Sequence, residues 1–141
     1  MNRMKFFICL MVFFSNNLFS QQEYPVAIGG ASGVFVDITN SSGSYIIERT
    51  ETSAENWIEV SNTTNPLSEV EFAGRLTVLS PQFSDFVVPA EKQITQIWNI
   101  WQRTNRVDSI PYWGNIPFVK IALGTMHFDA TAKLNTEYQY R

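Results

Sequence analysis

The hydrophobic pattern of this chain changes its period twice along its length, and that change most limits what the chain can fold into. Four apolar residues recur at the i, i+3, i+4 and i+7 spacing of one helix face: Ile94, Ile97, Trp98 and Trp101. A stripe of this kind is typical of an amphipathic helix that packs on a core. Pro89 and Glu91 suit the first turn of a helix. The sequence therefore predicts a helix over about residues 90–104.

A second helix is predicted just upstream of the first. Ser68 stands three residues before Glu71, which is the capping-box spacing at a helix start. Pro81 disfavours helical backbone in the residue before it, so the helix should end at Ser80. Gly74 weakens the prediction, because glycine in a helix interior costs about 1 kcal/mol relative to alanine.

The segments on both sides of these helices alternate in polarity and contain turn clusters, as strands do. Residues 33–63 suggest strand, turn, strand, turn and strand, which predicts a β-meander preceded by an edge strand near residues 24–28. Residues 105–117 contain two prolines and predict a loop. An apolar run over residues 118–128 and the segment 136–140 predict the last strands.

The first 21 residues are typical of an export signal. Arg3 and Lys5 supply a basic start, the apolar run Phe6–Phe14 follows, and a polar stretch leads to a cleavage zone near residues 20–22. Nine apolar residues are too few for a helix that crosses a bilayer, which needs about 20. We therefore expect a signal peptide over residues 1–21, a secreted or cell-surface location, and no membrane span after its removal.

Charge and cysteine content narrow the classes of function. The chain has ten basic and thirteen acidic residues, and loss of the signal would leave eight basic residues and a net charge of −5. That balance disfavours nucleic acid as a partner, because nucleic-acid binding needs a basic face. Cys9 is the only cysteine and lies within the signal, so neither a disulfide nor thiol chemistry is expected in the mature chain.

Two stretches, YIIERTETSAENWIEV and HFDATAKLNTEYQYR, carry a family resemblance. The residues that match are Tyr45, Ile47, Glu48, Arg49, Trp57, Val60, Asp129, Thr131, Leu134, Tyr138, Tyr140 and Arg141. In this order they resemble the fibronectin type III domain of bacterial surface proteins. The resemblance implies a mainly β, immunoglobulin-like sandwich over residues 22–141, with a structural tyrosine corner formed by Leu134 and Tyr138.

The resemblance covers about residues 31–62 and 119–141 and leaves out the segment between them. Some fifty residues there have helical signals, so we expect a two-helix insertion at about residues 64–117. The sequence ends at Arg141, inside the strand that the family calls F. The expectation is a sandwich incomplete at its C-terminus, from a fragment of a longer protein. The alternative is that a partner chain donates the missing strand.

The sequence predicts no catalytic, cofactor-binding or metal-binding residue. His127 is the only histidine and Asp129 lies on the same strand face, yet no G-x-S-x-G elbow accompanies them. Zinc would need more histidine or cysteine ligands. Asp85 and Asp108 stand apart from Asp129, which does not fit the oxygen-rich loop that calcium prefers. The chain is therefore not expected to be an enzyme.

Aromatic side chains give the only candidate ligand contacts. Trp98 and Trp101 belong to the helix stripe and should pack inward. Tyr112 and Trp113 lie in the loop between prolines and are the better candidates for exposed rings, on which a sugar could stack.

We expect a non-catalytic module of a larger secreted or cell-surface bacterial protein, acting in spacing, adhesion or domain presentation through a protein or polysaccharide partner. One alternative is a carbohydrate-binding accessory module that uses Tyr112 and Trp113. Another is the N-terminal part of a secreted enzyme whose catalytic domain lies beyond this sequence. The fold class alone does not distinguish them.

Overall fold

The structure is a computed structural model that describes residues 26–30, 32–38, 43–52 and 54–141. The predicted signal peptide, residues 1–21, lies outside the described residues. Within them the chain forms six strands and three α-helices: β1 (Val26–Gly30), β2 (Gly33–Asp37), β3 (Ser44–Glu51), β4 (Ile58–Thr64), α1 (Glu69–Leu79), α2 (Glu91–Thr104), α3 (Pro117–Ala122), β5 (Met126–Asp129) and β6 (Tyr138–Tyr140). None of the described helices is long and apolar enough to span a membrane.

The described strands form two antiparallel sheets of three strands each. The inner sheet has the order β1-β2-β5, and the outer sheet has the order β4-β3-β6. The predicted meander is therefore wrong, because β2 and β3 belong to different sheets. The physical reason is that β2 is apolar on both faces, so it is the central strand of a sheet that is covered on both sides.

The inner sheet lies between the helices and the outer sheet. Phe35 and Phe128 are paired across β2 and β5, and both pack against the helical core. Val36 points the other way and packs in a second, smaller core with Ile47 and Tyr140 of the outer sheet. Successive residues of a strand face opposite sides, so β2 serves both cores.

The two predicted helices are present in the structure. Ser68 caps α1 by accepting a hydrogen bond from the Glu71 N–H at 3.1 Å. In α2, Ile97, Trp98 and Trp101 are buried, as the stripe predicted. These side chains join Phe72 and other residues of α1 and α3 in the larger core.

A third helix corrects the prediction of two helices followed by a strand-like run. Residues 117–122 are helical, and only Met126–Asp129 of the predicted strand is extended. Pro117 occupies the first turn, and Gly124 follows the helix with a φ of 74°. These are ordinary start and stop signals. In a six-residue helix that is almost entirely apolar, they are masked by a pattern that also fits a buried strand.

The architecture is mixed α/β, with two small antiparallel sheets and a helical region between β4 and β5. The expected antiparallel sheets and intervening helices are present. The balance differs from the mainly β expectation, since helices occupy almost as many of the described residues as strands do. The helices also supply most of the larger core, so they are an integral layer and not an appendage.

Candidate functional site

A buried ionic cluster joins the two sheets. Asp129, at the end of β5, is 2% exposed and accepts hydrogen bonds from three residues of the described chain. Its Oδ2 accepts from Arg49 Nη1 at 2.6 Å and from the Tyr140 hydroxyl at 3.0 Å. Its Oδ1 accepts from the Thr131 N–H at 3.0 Å and from the Thr131 hydroxyl at 2.6 Å. A charged group so deep in the protein is therefore paired and hydrogen-bonded, as burial requires.

The cluster shifts the pKa values of its members in the directions that stabilise the ion pair. Burial alone would raise the pKa of Asp129, but the hydrogen bonds from Thr131, Tyr140 and Arg49 outweigh it and lower the pKa. Burial and the neighbouring carboxylate both raise the pKa of the Tyr140 hydroxyl. Burial acts to lower the pKa of Arg49, and the bond to Asp129 raises it overall. The three groups thus hold fixed protonation states at neutral pH.

His127 lies two residues before Asp129, on the strand face that looks toward the outer sheet. Burial lowers the pKa of His127, against an opposing effect of the Asp129 charge, so the imidazole is neutral at pH 7. The Asp129 carboxylate is already occupied by Arg49, Tyr140 and Thr131. In this arrangement the carboxylate fixes two sheets together and does not orient an imidazole as a catalytic base.

Among the described residues, no group of three or more histidine, cysteine, aspartate or glutamate side chains lies close enough to hold a metal ion. Glu51 and Glu137 do line one shallow depression, together with Thr52, Asn135 and Thr136. Two carboxylates on an open surface give neither the ligand number nor the enclosure of a calcium site.

The turn that carries Tyr112 and Trp113 has an unusual backbone conformation. Tyr112 has φ 61° and ψ −61°, and the Trp113 N–H donates to the Pro111 carbonyl at 2.7 Å. This is a γ-turn of the rare positive-φ form, which is strained for any residue with a side chain. The Tyr112 side chain is 62% exposed. Its ring meets the half-buried Trp113 ring edge to face, with centroids 4.9 Å apart.

The neighbours of this turn hold it rigidly. Val107 and Ile110 are 1% and 2% exposed, so the segment before the turn is anchored in the larger core. A Cβ at Gly114 would lie 2.1 Å from the Val107 carbonyl oxygen, so only glycine allows this close approach. The Gly114 N–H also donates to the Ile110 carbonyl at 3.0 Å. Tyr112 is therefore presented by a fixed support.

The predicted tyrosine corner, Leu134 and Tyr138, spans the turn before β6 and the first residue of that strand. The Tyr138 hydroxyl accepts a hydrogen bond from the Lys133 N–H at 3.2 Å. The Tyr138 ring also lies under the Arg49 guanidinium, 4.5 Å from centroid to carbon. Leu134 is 71% exposed. The hydroxyl thus bonds to backbone upstream, as such a corner requires, and the assignment itself stays a prediction.

A second contact joins residues that carry the family resemblance. The backbone N–H and carbonyl of Arg141 both pair with Glu48 of β3, at 3.1 and 2.9 Å. The Arg141 side chain bonds the Glu48 carboxylate at 2.8 Å, and its guanidinium stacks on Trp57 at 4.2 Å. The last residues are therefore docked on the outer sheet by backbone and side chain together.

The buried cluster is the feature that sequence reasoning missed. Arg49, Asp129, Thr131 and Tyr140 all carry the family resemblance, and Asp129 is also a candidate metal ligand or triad member, but none of these signals predicts that the four side chains meet. The alternation of side chains along β3 could have indicated it. Arg49 lies two residues after buried Ile47, so both side chains point into the protein. A buried arginine implies a carboxylate partner.

Comparison with family models, with curated proteins and with solved structures found no match to this chain. What the chain does must therefore be inferred from its own residues.

Proposed function

We propose that this chain is a non-catalytic module of an exported bacterial protein, acting in spacing, adhesion or domain presentation at the cell surface. We further propose that its two sheets are a fibronectin type III-like sandwich. The observation that supports both is the convergence of Arg49, Asp129, Thr131 and Tyr140. All four carry the resemblance to that family in the sequence, on segments some eighty residues apart.

The same convergence supports a mechanical role. A spacing or presenting module needs two sheets that do not slide, and a buried ion pair whose carboxylate accepts four hydrogen bonds favours one arrangement of them. The ionisable groups of Arg49, Asp129 and Tyr140 are buried in this junction. They hold the two sheets together, which disfavours a catalytic role for them.

The location is tested on protein recovered from outside intact cells of the source bacterium. Mass spectrometry should find a new N-terminus near residues 20–22, and protease added to intact cells should remove the protein. Cells lacking the gene should attach less to a surface, with recovery on complementation. A protein retained inside the cell with Met1 in place would contradict the proposal.

A carbohydrate-binding module is the second candidate, and the strained turn at Tyr112 favours it. Backbone strain of this kind costs about 1–3 kcal/mol and persists where the surroundings enforce it, as they commonly do at ligand sites. Here it presents the exposed ring of Tyr112 against the half-buried ring of Trp113. Rings of this kind offer sugars a large apolar face at low conformational cost.

Tyr112→Gly separates binding from folding at this turn. Glycine removes the ring and relieves the positive φ, so the free energy of unfolding should rise by about 1 kcal/mol. Depletion from solution by insoluble polysaccharides measures binding in the same variant. Loss of depletion in a variant that is more stable supports sugar stacking on Tyr112. Leu134→Ala, at a side chain that is 71% exposed on another part of the surface, is the control. Undiminished depletion in Tyr112→Gly, or none in the wild type, would exclude it.

A further inference from the structure

The outer face of α1 is an apolar stripe exposed to solvent. We use this name for Val70, Gly74, Thr77 and Val78, which follow the i, i+4, i+7, i+8 spacing of one helix face. Val70 is 82% exposed and Val78 70% exposed. Leu67, just before the helix, extends the stripe and is 91% exposed. The opposite face of the same helix buries its own apolar residues in the core.

The charged side chains of α1 lie beside this stripe, and each makes a contact within the protein. Glu69 accepts a hydrogen bond from Thr95 of α2 at 2.5 Å. Glu71 and Arg75 pair with each other at 2.6 Å, and Arg75 also donates to the Thr64 carbonyl at 2.5 Å. The helix is therefore apolar on two opposite faces. Helices of that kind are normally covered on both.

Gly74 gives the stripe a shallow centre that the fold itself does not need. A Cβ at this position would meet no atom of the described chain within 4 Å. The glycine therefore costs about 1 kcal/mol of helix stability relative to alanine with no packing return inside one molecule. A second helix that crosses α1 at this point would gain close backbone approach from it.

We propose that the outer face of α1 binds the same face of a second copy of this chain, with the two helices antiparallel about a two-fold axis at Gly74. In that arrangement Val70 of each copy lies opposite Val78 of the other, so the stripe is self-complementary. Glu71 and Arg75 lie on one flank, one turn apart. Reversal of the partner helix brings each Glu71 carboxylate beside the Arg75 guanidinium of the other copy. The charges on this flank of the two faces are therefore complementary.

The size of the surface sets the strength of the association. An 11-residue helix is only about 16 Å long. Its face is smaller than the roughly 800 Å² per partner of a standard stable interface. The dimer is therefore weak and forms in a concentration-dependent way.

Sedimentation velocity of the full chain between about 5 and 500 µM spans the range expected for such a dimer. Val78→Arg is the decisive variant. It sets an unpaired charge in the interface, while α1 has no basic residue in its last turn and gains from one there. The dimer should weaken at least about 10-fold with no loss of thermal stability. Ile46→Arg, on the solvent face of the outer sheet and 59% exposed, is the matched control and should dimerise as the wild type does.

Cross-linking tests the orientation in a Cys9→Ser background, which has no other cysteine. Gly74→Cys should form a disulfide-linked dimer on mild oxidation, because the two-fold axis brings residue 74 of each copy together. Gln102→Cys, exposed on α2, is the control and should link far more slowly. The proposal is overturned by a wild type that stays monomeric throughout, by a dimer unchanged in Val78→Arg, or by equal cross-linking of the two cysteine variants.

Discussion

Asp129→Asn is the sharpest test of the cluster that joins the two sheets. The substitution keeps the size of the side chain and removes its charge. All four groups bonded to the carboxylate are donors: Arg49 Nη1, the Tyr140 hydroxyl, the Thr131 hydroxyl and the Thr131 N–H. One oxygen of Asp129 receives the Thr131 N–H and the other receives Arg49. The amide NH₂ of asparagine must therefore face a fixed donor in either of its two orientations.

The expected cost follows from that geometry. Asp129→Asn leaves the Arg49 guanidinium, 8% exposed, without a counter-ion, and it also loses hydrogen bonds. Breaking a buried ion pair in this way costs about 3–5 kcal/mol. A domain of this size has about 5–15 kcal/mol of stability in total, so the variant should lose a large share of it and unfold at a much lower urea concentration. Urea unfolding, followed by tryptophan fluorescence and far-ultraviolet circular dichroism, measures the change.

Asp108→Asn is the matched control. Arg106 and Asp108 pair at the same 2.6 Å as Arg49 and Asp129, but both side chains are exposed. Solvent screens an exposed pair of this kind, so this substitution should cost little. A cost below about 1 kcal/mol for Asp129→Asn, or equal costs at the two sites, would refute the view that burial makes this cluster a determinant of stability.

Four further predictions concern single positions. The pKa of Asp129 is below its ordinary value, so its contribution to stability is present at neutral pH and is lost as the pH falls below about 4. The pKa of His127 is also lowered, so as the pH falls the unfolded chain gains a proton before the folded chain does, and stability declines below about pH 6.5. Urea midpoints measured across this pH range should show that His127→Gln removes the decline that begins near about pH 6.5 and leaves the decline below about pH 4. Gly114→Ala should lower the thermal midpoint sharply, because its methyl group would lie 2.1 Å from the Val107 carbonyl oxygen, and an unchanged midpoint would contradict that contact. Gly74→Ala, in open space on α1, should raise the free energy of unfolding of the dilute monomer by about 1 kcal/mol.

Local signals in the sequence were sufficient for the two longer helices. The structure has α1 at Glu69–Leu79 and α2 at Glu91–Thr104, each within a residue or two of the predicted bounds. A capping serine, a proline stop and a stripe at helical spacing all act within one turn of the residues they affect. Their outcome therefore does not depend on the rest of the fold.

Strand pairing could not be predicted in the same way, because it depends on contacts between distant segments. β2 and β3 are near neighbours in sequence, yet β2 pairs with β5 and β3 pairs with β6. The alternation of polarity identifies each strand but not its partner. The buried cluster was missed for the same reason, since Arg49 and Asp129 are eighty residues apart and neither segment alone indicates the contact.

The buried cluster also explains how a strand as short as β6 keeps a unique register. Three paired residues give few backbone hydrogen bonds, and a slip of one residue would turn each side chain to the opposite face. In the observed register Tyr140 lies directly opposite Arg49, and both reach Asp129 on the other sheet. A slipped strand would remove the Tyr140 hydroxyl from Asp129 and expose its ring. The ionic contact thus specifies the pairing that the short ladder would leave weakly determined, a role for which buried polar groups are well suited.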